Sequence, residues 1–201
     1  MGAAIEVVKI GGSLLTRNDF VPAMRQWLEQ ASRSQPAVHR VLIVGGGALV
    51  DALRTLDATT PIDSVAAHWQ AVRLMQVAGM VVGNWLPEWP LVDRYDDLLV
   101  RIAKPGVSLF LAEGFLRSEE PDLPGNPLPV GWQATSDSIA ARLAICLEAG
   151  SLVLLKSREA SPEERSDWQR AVAGGLVDEC FPRLAKQLPV VRIQTLPGHD
   201  G

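Results

Sequence analysis

Cysteine is scarce in this chain. Only Cys146 and Cys180 occur among 201 residues, and two isolated cysteines make no metal-ligand pattern. No metal site is therefore expected from the protein's own side chains. Cys146 falls within an apolar helical pattern and reads as a small core residue. Such sparse use suits a reducing cytoplasm. An excess of positive charge is also lacking. The formal net charge is −4, which removes any general electrostatic reason to expect a nucleic acid partner. No apolar run spans a bilayer uninterrupted. The start, Met1-Gly2-Ala3-Ala4-Ile5-Glu6, has no basic segment before its first apolar residues, so no signal peptide is expected. Ile5 or Glu6 stands where a myristoylated chain needs Ser or Thr. A cytoplasmic protein that acts on a small molecule, with no membrane partner, is the expectation.

Several signatures are missing as well. Nothing matches the Walker A pattern Gly-x-x-x-x-Gly-Lys-Ser/Thr. The dinucleotide fingerprint Gly-x-Gly-x-x-Gly fails because Ala48-Leu49-Val50 follows Gly45-Gly46-Gly47. The protein-kinase set and the hydrolase elbow Gly-x-Ser-x-Gly are absent.

What is present is a recurring unit of apolar strand, glycine turn and helix. Residues 4–10 form a continuous apolar run, the mark of a strand buried on both faces of a parallel sheet. Helical spacing of Met24, Trp27, Leu28 and Ala31 predicts a helix over about 22–34. Residues 40–44 repeat the strand, run into Gly45-Gly46-Gly47, and lead to a helix from 48 to about 57. A long helix is predicted over 62–86, ended by Pro87 and Pro90. Strands are predicted at 98–102 and 107–111, separated by the turn Lys104-Pro105-Gly106. Residues 118–131, with four prolines and two glycines, read as a loop, either a lid or a substrate-facing segment. Thr135-Ser136-Asp137 caps a helix to about 148. Residues 151–156 form another strand, Pro162 opens a helix carrying Trp168, and Gly174-Gly175 turns the chain. A largely helical 177–187 and a strand at 190–193 complete it. The pattern predicts one α/β domain over 1–201 with glycine-rich turns on one sheet edge.

Four stretches should meet at that edge: Lys9 to Ser13, Gly45 to Gly47, Ser136-Asp137 and Lys156. They bring two lysines, one carboxylate and two glycine turns that bare backbone N–H groups. Phosphoryl transfer needs such a kit, because its catalysis is mostly positioning and charge stabilisation. Each piece also has a plain reading. Lys9 could be a surface lysine, Asp137 a helix cap, His68 a core histidine, and Trp69 and Trp132 packing residues. Asp178 could lie on a solvated helix face or hold magnesium or an amine. Arg17, Arg54 and Arg73 are open candidates for an acceptor phosphate.

Val-Val-Lys-Ile-Gly-Gly-Ser at 7–13, Val-Gly-Gly-Gly at 44–47 and Thr-Ser-Asp-Ser-Ile-Ala-Ala at 135–141 resemble the amino acid kinase family in order and spacing. The resemblance covers essentially the whole chain. It implies a three-layer αβα sandwich with a mainly parallel central sheet, and the use of ATP and Mg²⁺. It further implies that Lys9 meets the transferring phosphoryl group and that Asp137 organises the lysines; Lys156, at the end of a strand beside that site, is the candidate for a second catalytic lysine. Gly11, Gly12, Ser13 and Ser136 are then the candidates for nucleotide phosphate. Gly45, Gly46, Gly47, His68 and Trp132 are the candidates for the acceptor.

Segments 67–72 and 128–138 are similar to a short branch of that family, which phosphorylates an aminomethylfuran phosphate monoester to a diphosphate in methanofuran biosynthesis. Gln133 stands where that branch should carry an acid. The family's late lysine is also missing: Gly174-Gly175-Leu176-Val177-Asp178-Glu179 offers acids, leaving Lys156 or Lys186 to take that part. Residues 156–160 match the family's nucleotide segment poorly. A kinase for a different small phosphate or carboxylate is the first alternative, and a non-catalytic nucleotide-binding or storage protein on the same scaffold is the rival from another class. A homo-oligomer interface would account for Trp69, Trp85 and Trp89 on or after the long helix; an interaction subunit is a third reading.

Overall fold

The computed structural model describes residues 2–198. Six strands form one sheet in the order β3-β4-β2-β1-β5-β6. They are β1 (Ala4–Ile10), β2 (Val38–Val44), β3 (Leu91–Val92), β4 (Gly106–Phe110), β5 (Ser151–Lys156) and β6 (Val191–Thr195). Every neighbouring pair is parallel. Parallel pairing demands crossovers that cover both faces, and helices supply them. These are α1 (Phe20–Ser34), α2 (Gly47–Thr59), α3 (Ser64–Trp85), α4 (Tyr95–Arg101), α5 (Glu113–Ser118), α6 (Ser136–Cys146), α7 (Pro162–Ser166), α8 (Trp168–Ala173) and α9 (Phe181–Ala185). The result is a three-layer αβα sandwich.

The period of two along a strand sorts the core into two halves. Val7, Val41, Ile43, Leu152 and Leu154 face one core with Ile139 and Leu143 of α6. Val8, Ile10, Leu42, Val44, Val153 and Leu155 face the other with Met24 and Leu28 of α1 and Val82 of α3. This alternation places the two lysines. Lys9 has the parity of Val7, and Lys156 that of Leu154, so both stand on the α6 side. At the opposite end of β1, buried Glu6 accepts from Arg40 of β2 (3.0 Å), Ser151 of β5 (2.9 Å) and Arg192 of β6. One carboxylate thus links four strands, and the ion pairs keep it from being a bare buried charge.

Three expectations need correction. Residues 98–102 are not a strand. Residues 98–101 belong to α4 and Ile102 is its C-cap; Tyr95, Leu98 and Ile102 are buried while Leu99 and Val100 are exposed, a helical spacing. Asp96 and Asp97 in its first turn and Arg101 in its last complement the helix dipole. The region 177–187 is less helical than expected. Only α9 is helical, with Pro182 in its first turn, and 174–180 is a loop. The helix opened by Pro162 is two short helices, divided at Asp167, whose carboxylate caps α8 through Gln169 N. The two-residue strand β3 had no apolar run long enough to announce it.

Residues 118–131 are irregular apart from a short 3₁₀ turn at Glu120–Asp122. They are strapped to α6 by Arg142, which is 1% exposed. Its guanidinium donates to Glu120 Oε1 (2.7 Å) and to the carbonyls of Pro124 (2.7 Å) and Leu123 (3.1 Å). Leu128 N–H donates to the same glutamate. Among the described residues no helix is long and apolar enough to cross a membrane.

Candidate active site

At the C-terminal edge of β2, β1 and β5 lies a cavity of about 520 Å³. Its wall includes Lys9, Gly12, Ser13, Gly46, Gly47, Ser136, Asp137 and Lys156. Strand order explains the meeting. β1 is central, so the turns after β2 and β5 flank the turn after β1. Gly12 and Gly47 are in backbone contact: a Cβ on Gly12 would lie 2.1 Å from Gly47 N, and one on Gly47 would lie 2.4 Å from Gly12 O. Gly47 also has φ +51°, a conformation that suits glycine. Close approach of two turns, rather than flexibility, demands glycine at these positions.

Gly11 and Gly45 are placed differently. The Gly11 N–H donates to Leu155 O (2.9 Å) and the Gly45 N–H to Ile10 O (2.8 Å). Both amides are used within the fold, and neither glycine lines the cavity. Gly45 instead leaves room for Ser136, whose Oγ would lie 2.9 Å from a Cβ at position 45. Ser13 Oγ and Ser157 Oγ are 2.9 Å apart and join the turns after β1 and β5. Gly46 and Gly47 bring the start of α2 to the cavity, where the first helical N–H groups have no partner within the helix.

Asp137 sits between the lysines. Its Oδ1 is 3.0 Å from Lys9 Nζ and 2.8 Å from Lys156 Nζ. Lys156 Nζ also donates to Leu176 O at 2.5 Å. Burial would raise the Asp137 carboxyl, but the two ammonium groups outweigh it and hold the carboxyl below its ordinary range. Lys156 goes the other way. Burial first, then the charge of Lys9, push it down to about 8, although Asp137 opposes them.

Toward the β2 side the wall is built by α2, α3 and the segment entering α6. Buried His68 has Nδ1 3.1 Å from the Gly131 N–H. The same Nδ1 lies 3.2 Å from the Gly131 carbonyl oxygen, so it meets both a donor and an acceptor of one residue. Burial lowers the His68 pKa, which keeps the ring neutral. Trp132 Nε1 donates to Asp57 Oδ2 (2.8 Å), and Arg54 lies over the indole at 5.1 Å. Arg54, paired with Asp51 at 3.1 Å, reaches the cavity wall. Arg17 is committed to Asp19 and to Leu196 O, and Arg73 to Glu113. Of the three arginines left open by the sequence, Arg54 is the one at the cavity.

Sequence reasoning misplaced one contributor and missed another. Asp178 does not lie on a solvated helix face; it binds the start of α6, from 40 residues away in sequence, and no local pattern signals that. Asp57 orients Trp132 across 75 residues, also without a local signal. Trp69 and Trp89 are used internally: Arg117 covers Trp69 at 3.8 Å and Trp89 is buried. Trp85 remains exposed.

Comparison with solved structures places this architecture. The uridylate (UMP) kinase of Ureaplasma parvum superposes with a TM-score of 0.63 at 15% identity, over 98% of this chain and 91% of that one. The uridylate kinase of Archaeoglobus fulgidus gives 0.61 at 12% identity, over 98% and 92%. The aspartate kinase of Synechocystis gives 0.62 at 16% identity, over 95% of this chain and 38% of that one. The fold of this chain is the amino acid kinase fold. In sequence, the chain is similar to the [5-(aminomethyl)furan-3-yl]methyl phosphate kinase of Methanocaldococcus jannaschii. The two are 26% identical over 153 residues, which is 75% of this chain and 64% of that protein. No family model matches the chain.

Proposed function

We propose that this chain is an ATP-dependent kinase that passes the γ-phosphoryl group of ATP to a small phosphate monoester, with (5-(aminomethyl)furan-3-yl)methyl phosphate as the preferred acceptor. The observation that carries the reading is the pair of lysines on one face of the sheet, sharing Asp137 beside two interlocked glycine turns. The acceptor follows from the named activity of the Methanocaldococcus jannaschii relative and from the forked cation of Arg54 at the cavity.

The residues divide the work by position. Lys9 and Lys156 stabilise charge on the transferring group, and Asp137 fixes the distance between them. The N–H groups at Gly12 and at the start of α2 approach phosphate oxygens. Arg54 holds the acceptor phosphate, and the neutral His68 ring stands on the cavity wall beside it. A phosphate acceptor is already anionic, so no general base is required. Among the described residues no three acids, histidines or cysteines cluster to cage a metal. Mg²⁺ needs no such cage, because it is bound mainly through phosphates and water with one or two carboxylates. Glu179 on the cavity wall has neither ion pair nor hydrogen bond among the described residues and is the carboxylate free to assist. When bound, Mg²⁺ would neutralise charge shared by the β and γ phosphates.

A second reading, nucleotide binding without turnover, is favoured by the absence of any lysine from 174–180. One experiment separates the two. The protein is incubated with ATP and Mg²⁺, with and without the furanmethyl phosphate, and product is followed by mass spectrometry. Diphosphate product that disappears in Lys9→Ala supports the kinase. Bound ATP with no product removes this acceptor and sends the test to other phosphates and carboxylates, whose failure in turn supports the second reading; no ATP binding defeats both.

A further inference from the structure

The loop 174–180 supplies no cation, yet it touches three parts of the site. It turns at Gly175, where φ is +66°. Its Leu176 carbonyl accepts from Lys156. Its Cys180 N–H donates to Gln133 O at 3.2 Å. Between them, the Asp178 carboxylate accepts from the N–H groups of Thr135 (2.9 Å) and Ser138 (3.0 Å), from the Thr135 hydroxyl (2.8 Å) and from the Ser138 hydroxyl. The Phe181 N–H closes the loop on the same carboxylate at 3.1 Å. Thr135 is the N-cap of α6, but its own side chain makes no capping bond. The carboxylate from the distant loop takes that place. Thr135 and Ser138 bracket Asp137, so a shift at Asp178 moves the carboxylate that both lysines share. The same loop carries the carbonyl that holds Lys156 from its other side.

We propose that Asp178 is a positioning residue for phosphoryl transfer: it locks the first turn of α6 to the 174–180 loop and so sets how Asp137 and Lys156 meet the phosphoryl group. The proposal rests on the kinase reading. It assigns the lysine-free loop a part that needs no charge of its own. A helix cap alone would contribute only stability. A positioning residue also changes the geometry of the lysines.

Lysine is rare enough to test this directly. The chain has four, Lys9, Lys104, Lys156 and Lys186. Lys104 and Lys186 are exposed and serve as references. Asp178→Asn is compared with the unaltered chain, each labelled at lysine with ¹³C and read by NMR, alongside steady-state kinetics. The Lys9 and Lys156 signals should move while the reference signals stay. kcat should fall about 10²-fold, the scale of a misplaced catalytic group, with KM for both substrates little changed. Unmoved site signals with unchanged kcat, whatever happens to the melting temperature, would overturn the proposal. If the unaltered chain phosphorylates no phosphate acceptor, the kinase reading fails separately. The lysine signals still decide the geometry, moved in support and unmoved against. If Asp178→Asn does not fold, Thr135→Val and Ser138→Ala remove two of the five donors from the other side and are judged by the same signals.

Discussion

Two ammonium groups against one carboxylate leave a buried site with an excess positive charge, and Lys156 is the member that responds. Its pKa of about 8 lies below the ordinary 10.5. The unfolded chain therefore binds more protons between those two values, and this group makes the fold gain stability as pH rises through that window. Binding of an anionic phosphate favours the ammonium form and raises the pKa again. ATP affinity should accordingly fall as pH climbs past about 8. Binding on the alkaline side of that value should take up a proton. Calorimetry in two buffers of different ionisation enthalpy checks this, since identical heats would contradict it. Removing the carboxylate should cost more than removing either lysine. Asp137→Ala leaves two buried cations facing each other and should destabilise the fold by about 3 kcal/mol. Lys9→Ala should cost less, because Lys156 still neutralises Asp137. Urea denaturation at pH 7 ranks the variants.

At the level of elements, the glycine turns and the strap across 118–131 carry the predictions. Gly12→Ala puts a methyl group 2.1 Å from the backbone of Gly47, where no side chain can rotate away. It should separate the turns, cost about 2 kcal/mol and weaken nucleotide binding, measured by titration. Arg142→Leu strands Glu120, which is 3% exposed, and should cost about 3 kcal/mol. Limited proteolysis should then cut within 118–131 before it cuts elsewhere. Uncut protein of normal stability would show that the strap is idle. The sequence made β1, β2 and β5 legible because their apolar runs are buried on both faces, and α3 because its pattern is long. It made Lys9, Asp137 and Lys156 legible because each lies at the end of such an element. The part of 98–102 was misread because Leu-Leu-Val looks like a buried strand until Asp96 and Asp97 are weighed as the first turn of a helix. Asp178 and Asp57 act across 40 and 75 residues, and local patterns do not encode such contacts. The strap was invisible for the same reason: Arg142 sits inside an apolar helix and meets its partners only in the fold.

For the whole molecule, we propose association of identical chains. Val77, Met80 and Trp85 of α3 are 46%, 49% and 41% exposed. Leu91, on the edge strand beside them, is 46% exposed. Light scattering on the purified protein should give a multiple of the monomer mass, and Met80→Asp should reduce it. A monomer before substitution would defeat the idea. The sheet order has one more consequence, for synthesis on the ribosome. β1 is made first, yet it sits between β2 and β5, and β5 begins at residue 151. At ordinary elongation rates, the interval between those strands is on the order of ten seconds. During it, the nascent chain carries a strand with one edge open and, until residue 137 is added, a lysine without its partner carboxylate. A message truncated before that point would give no partly active product. A chaperone that shields β1 during those seconds would raise the yield of folded protein without touching the finished site.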